Sequence, residues 1–565
     1  LNPYLPSTLS VTAGKELFVG GALSIGSDQG GDLVATSTEP IASQSGSLGG
    51  GATVDGLGAS AIFGGSGGGW VVGDDLTLAD DADATLTIQN GSVVEIGTRN
   101  LSSSNGEVVV VASADADVVV GGSAVGTHAI NIDGAASQLD IADDLFIGGT
   151  KLAAGGQATV TLNNDGQLTV GDTITIWEGS TLDAQNGIAT FATLDVRGLA
   201  DFGAQTFAPQ TGGFAIAMNG GTLRADLVDF ENLPLNGSGI VEAAFTTQGD
   251  VTATGDLTLG DAADFNGVSI GGTLNVGANT VTLNKAGFFA LGNDTVATVA
   301  GSRVVAANGF QLPAGAVFSG QGSLQGRVAS STGSLIIAEG GLAIGDALSP
   351  AGVFLDGELD IDTHTVTLND ANDAVLGSLT TMGDGAGTGG VIIAQNGVTL
   401  GFGRNLVGEG NVLTPNDPFK PFINNGNVIG DSPSDPITLA GYVKGVGTLD
   451  NVVITGTDAP GLSPATVYRG SVAYQGTLEI ELGGLPPGTS DRVIHSGVAT
   501  LGGTIDLKLI NGFTPALYDR TTALEAGEPL VGVFGGVEGI ALGTIDGFGA
   551  GWAVTYGETA VELTA

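Results

Sequence analysis

Residues 142–182 read ADDLFIGGTKLAAGGQATVTLNNDGQLTVGDTITIWEGSTL. Leu145 and Ile147, Val160 and Leu162, Leu168 and Val170, and Ile174 and Ile176 are apolar residues two apart, with polar or small residues between most of them. That is the period of a strand, not of a helix. Each run is short and stops at glycine, asparagine or an acidic residue: Gly148-Gly149, Asn164-Asp165-Gly166, Gly171-Asp172, Glu178-Gly179. These residues tolerate positive φ, so the chain is expected to turn a corner every few residues. A chain that turns corners regularly and stacks on itself is a β-solenoid.

Working outward, the same signature recurs. It begins at Val11, with Leu17, Val19, Leu23 and Ile25, and returns from Trp70. Asp74-Asp75-Leu76 aligns with Asp143-Asp144-Leu145, and Ala84-Thr85-Leu86-Thr87-Ile88 with Ala158-Thr159-Val160-Thr161-Leu162. The period is roughly 70–75 residues, which is about three coils if each takes some 20–25 residues. A second repeat aligns Leu274–Asn284 with Leu359–Asn369 without gaps. Gly320-Gln321-Gly322 matches Gly408-Glu409-Gly410, with Gly445-Val446-Gly447 as a third instance. Leu348-Ser349-Pro350-Ala351 recurs as Leu462-Ser463-Pro464-Ala465.

Composition narrows the class. Glycine is 99 of 565 residues without a G-X-Y period, which excludes collagen. Hydrophobic content of 42% argues against a disordered chain. Lys plus Arg is 15 against 59 Asp plus Glu, a formal net charge of −44. A chain so acidic lacks the basic patches that nucleic acid and anionic membranes require. There is no cysteine, so disulfides, thiolate chemistry and Cys-ligated metals are excluded. No apolar run is long enough to span a membrane as a helix. The chain opens at Leu1 without a basic-plus-apolar leader, which reads as a mature or trimmed form.

The expected architecture is an all-β parallel β-helix, right-handed, with a C-terminal antiparallel β cap or sandwich. Residues 1–10, with two prolines, read as an arm or cap, and residues 11–469 as the solenoid. Within it, the Gly-rich stretch 45–69 reads as a surface loop or loosely packed coils. The stretch 413–437, with five prolines, reads as a loop leaving the wall. Residues 470–565 read as the cap, which a solenoid needs because its open end is a row of unpaired backbone groups. Coils spaced by about 4.8 Å, roughly twenty of them, would make a rod on the order of 100 Å long.

The strings L-x-I-G-x and G-x-L-x-V-G at residues 17–26, 72–97 and 143–171, the G-x-G-x-L of Gly445–Leu449 and Pro460-Gly461-Leu462-Ser463-Pro464 resemble the passenger-type β-helix of bacterial autotransporters. They are more similar still to the repeat shared with PEP-CTERM-associated surface proteins. The likeness covers about residues 11–510. It implies an exported protein, extracellular or on the bacterial cell surface, of a group that includes adhesins, matrix proteins and a few enzymes. The chain departs from that pattern by ending without barrel strands, a PEP motif or an apolar anchor.

Candidate chemistry is sparse. Asp80, Asp81 and Asp83, together with Asp143 and Asp144, are candidates for bridging calcium with turn carbonyls, as are Asp370 and Asp373. No EF-hand loop is present. His128, His364 and His495 are scattered, and His364 aligns with Asn279, an outward polar position. His495 near Asp491, Arg492 and Ser496 is only a sequence-local set. Asp115 and Asp117 form one of many acidic pairs, and Trp70, Trp177 and Trp552 are too spread for a sugar platform. The expected function is therefore structural: a non-enzymatic, exported protein forming a fibre, sheath or biofilm matrix by end-to-end association of its own copies. The alternatives are a monomeric adhesin binding surface glycans or a host surface, and a polysaccharide-cleaving β-helix. No cofactor is expected apart from calcium, and neither nucleic acid nor membrane insertion.

Overall fold

In the computed structural model, residues 72, 74–78, 84–89, 91, 93–97, 114–122, 127–203, 216–265, 267–292, 296–349, 352–462, 464–539, 541 and 551–565 are described in full. Some further strands, mostly before residue 111, are described by backbone course alone. No described residue is helical, and the fold is a parallel β-helix. The chain divides into two compact units, Leu1–Asn275 with Asn284–Ala286, and Val276–Leu283 with Gly287–Ala565.

The first unit winds over three faces. One face stacks Leu76–Leu78, Val118–Val120, Leu145–Ile147, Thr173–Ile176 and Thr193–Val196 in parallel. The next stacks Ala84–Gln89, Thr127–Asp133, Gln157–Asn163 and Thr181–Asp183. The third stacks Val93–Ile96, Gln138–Ile141, Gly166–Val170 and Gly187–Thr190. Register follows from alternation: Val118, Leu145, Ile174 and Leu194 form one buried ladder, and Val120, Ile147, Ile176 and Val196 a second. Each such side chain, fully buried, contributes about 1.5–3 kcal/mol. Slipping one strand by one residue would turn both ladders to water, which fixes the pairing.

Several expectations need correction here. Leu76 pairs with Val118, and Val118 with Leu145, so the repeat from Leu76 to Leu145 spans two coils, not three. Ser7–Val11 is not a free arm, because it pairs in parallel with Gly31–Ala35; residues 1–6 lie outside the described residues. Of the two readings of the Gly-rich stretch, the coil one fits the strands Thr53–Val54, Ala59–Gly64 and Gly69–Val72, which run in parallel ladders; the rest of 45–69 lies outside the described residues.

The second unit repeats the three-faced plan. Its first face includes Glu358–Asp360, Leu379–Met382, Asn405–Gly408, Asn427–Gly430 and Thr448–Asp450. Its second face carries the buried ladder Val366, Ile392, Val412, Leu439, Ile454, Tyr474, Leu501. Its third carries Val398, Phe422, Val443, Asp458, Leu478, Ile505. Residues 413–437 do not form one loop outside the wall. Phe422–Asn424 and Asn427–Gly430 are wall strands, and the prolines fall in the corners on either side, 414–421 and 431–436.

The parallel ladder also runs past residue 470, through Thr477–Leu482, Thr504–Leu509 and Gly536–Glu538. Beyond the short pair Leu101–Ser102 with Val109–Val110 in the first unit, antiparallel strand pairing among the described strands falls in the last strands. Ala560–Thr564 pairs with Arg520–Ala526 and with Ala553–Tyr556, and Ala541–Ile545 forms a hairpin with Phe548–Gly551. The long strands after Tyr468 are still coils; length alone does not distinguish a wide coil face from a cap strand.

Corner glycines are of two kinds. Gly148 and Gly179 have φ of 82° and 81°, the left-handed conformation expected at a turn. Gly456, Gly476 and Gly503 instead stack on one corner of the second unit. A Cβ on each would overlap the carbonyl oxygen of Gly441, Gly456 and Gly476, respectively. There glycine is required by close approach of one coil to the next.

Candidate functional site

In the first unit, acidic residues immediately precede the strands of one face. Asp75, Asp117 and Asp144 stand just before Leu76, Val118 and Leu145, which are register partners, so the three carboxylates recur at one corner. The Asp117 N–H donates to Asp75 Oδ1 at 2.9 Å, the Asp144 N–H to Asp117 Oδ1 at 3.1 Å, and the Thr173 N–H to Asp144 Oδ1 at 3.0 Å. Each carboxylate thus accepts the backbone N–H that opens the next coil's strand. The column collects negative charge while partly desolvating it. Burial pushes the Asp117 carboxyl up to about 6, against the hydrogen bond from Asp144 and with added repulsion from Asp144, Asp75 and Asp143. Burial also raises Asp75 and Asp143. The Lys151 ammonium lies 3.1 Å from Asp144 Oδ2 and supplies the compensating charge.

Asp117, Asp143 and Asp144 offer one carboxylate oxygen each within 4.8 Å of one another. Calcium takes six to eight oxygen ligands. Here Asp117 Oδ1 and Asp144 Oδ1 already accept backbone N–H groups, and Asp144 Oδ2 faces Lys151. A divalent cation on Asp117, Asp143 and Asp144 would compete with the Lys151 ammonium for Asp144 Oδ2. The structure brings the sequence candidates Asp143 and Asp144 together with Asp117, which alternation had grouped with the exposed Asp115. Asp80, Asp81 and Asp83 lie outside the described residues. The signal that could have found Asp117 is its place before a strand, shared with Asp75 and Asp144.

A second polar cluster lies inside the second unit. Asp458 stands in a ladder between apolar Val443 and Leu478 and is fully buried. Arg469 Nη2 approaches Asp458 Oδ1 at 3.3 Å, and its Nη1 donates to the Gly447 carbonyl. Burial pushes the Asp458 carboxyl up and Arg469 pulls it down. His495 is the register partner of Arg469 on the next coil. Its Nδ1 faces the Gly470 carbonyl at 3.0 Å and therefore donates, which leaves Nε2 to accept from the Tyr474 hydroxyl at 3.1 Å. Burial lowers His495 to about 4, so the ring is neutral at pH 7, and the Arg469 charge acts in the same direction. Asp458 Oδ2 and Arg469 Nε are buried without a hydrogen-bond partner. The sign in the sequence was a carboxylate at a position where alternation demands an apolar side chain.

The local set around His495 does not assemble. Asp491 accepts the N–H groups of Ala465 and Glu481, each at 2.8 Å, and burial pushes its carboxyl up to about 7. Ser496 Oγ donates to the Arg469 carbonyl, and neither contacts the imidazole. Asp370 accepts the N–H groups of Val353 and Asn372, and Asp373 accepts the Thr399 hydroxyl. His128 is buried between Ala84 and Ala158 in its ladder, and His364 is half-buried at a corner. Trp177 donates to the Thr150 carbonyl with the Arg197 guanidinium 4.2 Å above its ring, and Trp552 is buried. The Trp70 side chain lies outside the described residues.

No family model matches the chain, and no curated protein matches it. Among solved structures, the Haemophilus influenzae Hap adhesin is similar at 12% identity and a TM-score of 0.26. That alignment covers 95% of this chain and 64% of the adhesin chain.

Proposed function

We propose that the chain is an exported, non-enzymatic structural protein that joins copies of itself end to end into an extracellular fibre, sheath or matrix. The supporting observation is the last full coil. Val531–Gly532 pairs only with Ala499–Leu501, and Gly536–Glu538 only with Thr504–Leu509, so each ladder is one-sided among the described strands. Val531 and Val533 are about half exposed beside that edge. A one-sided ladder flanked by apolar side chains is a template for a strand of another copy. Negative-stain microscopy and light scattering of concentrated protein test the proposal. Filaments are expected, and Val531→Lys with Val533→Lys should abolish them. Uniform single particles at every concentration would refute it.

A second reading is an adhesin at the bacterial surface whose wall binds glycans. It is favoured by large apolar side chains at the corners, above all Phe402 and Phe419, which are 93% and 89% exposed. Because 413–437 contains wall strands, the informative deletion is restricted to residues 415–420. Glycan or cell binding lost with that deletion would support the adhesin over the fibre. Turnover of any acidic polysaccharide would overturn the non-enzymatic part of both readings.

A further inference from the structure

On the outer wall of the second unit, three parallel strands lie side by side: Thr466–Arg469, Arg492–His495 and Arg520–Ala526. Their register places Thr466 beside Arg492, and Tyr468 beside Ile494. At one end of these strands the loop Leu485–Gly488, with Thr466, Ser490, Arg492, Arg520 and Thr522, encloses a hollow of about 250 Å³. A neighbouring hollow of about 230 Å³ includes Tyr468, Ile494 and Ser496 in its lining. Tyr468 is 66% exposed.

The first hollow departs from the charge pattern of the chain. With 59 acidic residues for 15 basic ones, guanidinium groups are readily paired. Arg197, Arg224, Arg404 and Arg469 each have a carboxylate partner. Arg520 has no carboxylate partner among the described residues; Arg303, which holds Gln325, and Arg327, over the Phe288 ring, share that lack, but neither lines a hollow with a second arginine. Arg492 holds Glu525 at 2.6 Å through Nη2, while its Nε is buried without a hydrogen-bond partner. Both arginines line the hollow. The carboxylate that also lines it, Asp491, turns its two oxygens to the N–H groups of Ala465 and Glu481, so its hydrogen bonds go to neither guanidinium.

We infer that this hollow binds the carboxylated sugar of an acidic glycan, with Arg492 and Arg520 on the carboxylate, and Tyr468 as a platform for the adjoining ring. The chemistry matches element by element. Guanidinium groups recognise carboxylates through paired N–H donors, more strongly than neutral donors do. The hydroxyls of Thr466 and Thr522 suit sugar hydroxyls, and Leu485 and Pro486 offer apolar surface for the C–H face of a ring. An exposed tyrosine ring adds a flat apolar surface at little cost in side-chain entropy. The hollow has room for about one sugar ring, and the Tyr468 hollow beside it extends the site to an oligomer. Net charge of −44 repels any polyanion at long range, so binding must come from these local guanidiniums once salt has screened the rest.

This inference rests on the adhesin reading, and titration calorimetry of the full chain separates the two. The probe is an oligogalacturonate, compared with its methyl ester and with a neutral oligosaccharide at about 0.15 M salt. The acid is expected to bind and the methyl ester, the same shape without charge, to bind at least about 10-fold more weakly. Arg520→Ala should weaken the acid about 10-fold or more while leaving the thermal midpoint unchanged, because Arg520 is exposed. Tyr468→Ala should weaken the oligomer and not the single uronate. Equal binding of acid and ester, or acid binding indifferent to Arg520→Ala, overturns the site. Binding of other glycans on an array that survives Arg520→Ala would leave the adhesin reading standing and remove only this site.

Discussion

At the scale of single residues, a glycine held by close approach of the next coil should respond to a methyl group differently from a glycine with open space around it. Gly476→Ala forces a Cβ onto the Gly456 carbonyl of the preceding coil and should destabilise by about 1–3 kcal/mol or more. Gly341→Ala is the control: it is exposed, nothing lies within 4 Å of its Cβ position, and it should be neutral or slightly stabilising. Urea midpoints of the two variants decide whether close approach of one coil to the next, rather than replacement of a glycine as such, sets the cost. His495 carries a second prediction. Its folded value of about 4 lies below the ordinary imidazole value, so its contribution is present above about 6.5 and is lost as pH falls toward 4. Between pH 7.5 and 5 that loss is about 2 kcal/mol. Asp458 and Asp491, both raised, act in the opposite sense, since their protonation on acidification favours the fold. The difference in pH slope between the parent and His495→Gln isolates the imidazole; identical slopes would show that the ring titrates as it does in water.

At the scale of elements, the column Asp75–Asp117–Asp144 is a cap series that stabilises strands by hydrogen bonding and strains them by repulsion. Because Asp117 is raised to about 6, its ionised form opposes folding, and stability through it falls as pH rises from about 4 to 6. Asp117→Asn keeps an oxygen for the Asp144 N–H and removes a charge. It should raise the thermal midpoint by about 1–2 °C at pH 8 after screening, and leave it unchanged at pH 4. An equal shift at both pH values would mean that repulsion is not the cause. Most of the strand faces were legible from alternation: Val118, Leu145 and Ile174 are inside because every second residue is. What alternation could not supply was the alignment of one coil on the next. Asp117 and Asp144 are distant in sequence and meet only through register, so the carboxylate cluster stayed hidden although each member was in view. The interior Asp458–Arg469 pair was missed for the same reason, as were the continuing coils after residue 470, whose longer strands resembled a separate cap.

For the molecule as a whole, a formal charge of −44 sets the response to salt. Exposed like charges are screened within about 10 Å at 0.1 M, so the thermal midpoint should rise as sodium chloride goes from about 0.01 M to about 0.5 M. Calcium and magnesium compared at equal ionic strength separate general screening from a site. A calcium effect beyond that of magnesium, and larger in Lys151→Ala, would place the ion among Asp117, Asp143 and Asp144. The stacked Gly441, Gly456, Gly476 and Gly503 also govern where this chain can evolve. That edge behaves as a seam of fixed gauge: one added residue would act as a shim between turns and propagate along the stack. The junctions that follow the next strand of each coil, such as 483–491 and 510–519, already carry excursions of unequal length. New recognition sequences, natural or grafted, belong there.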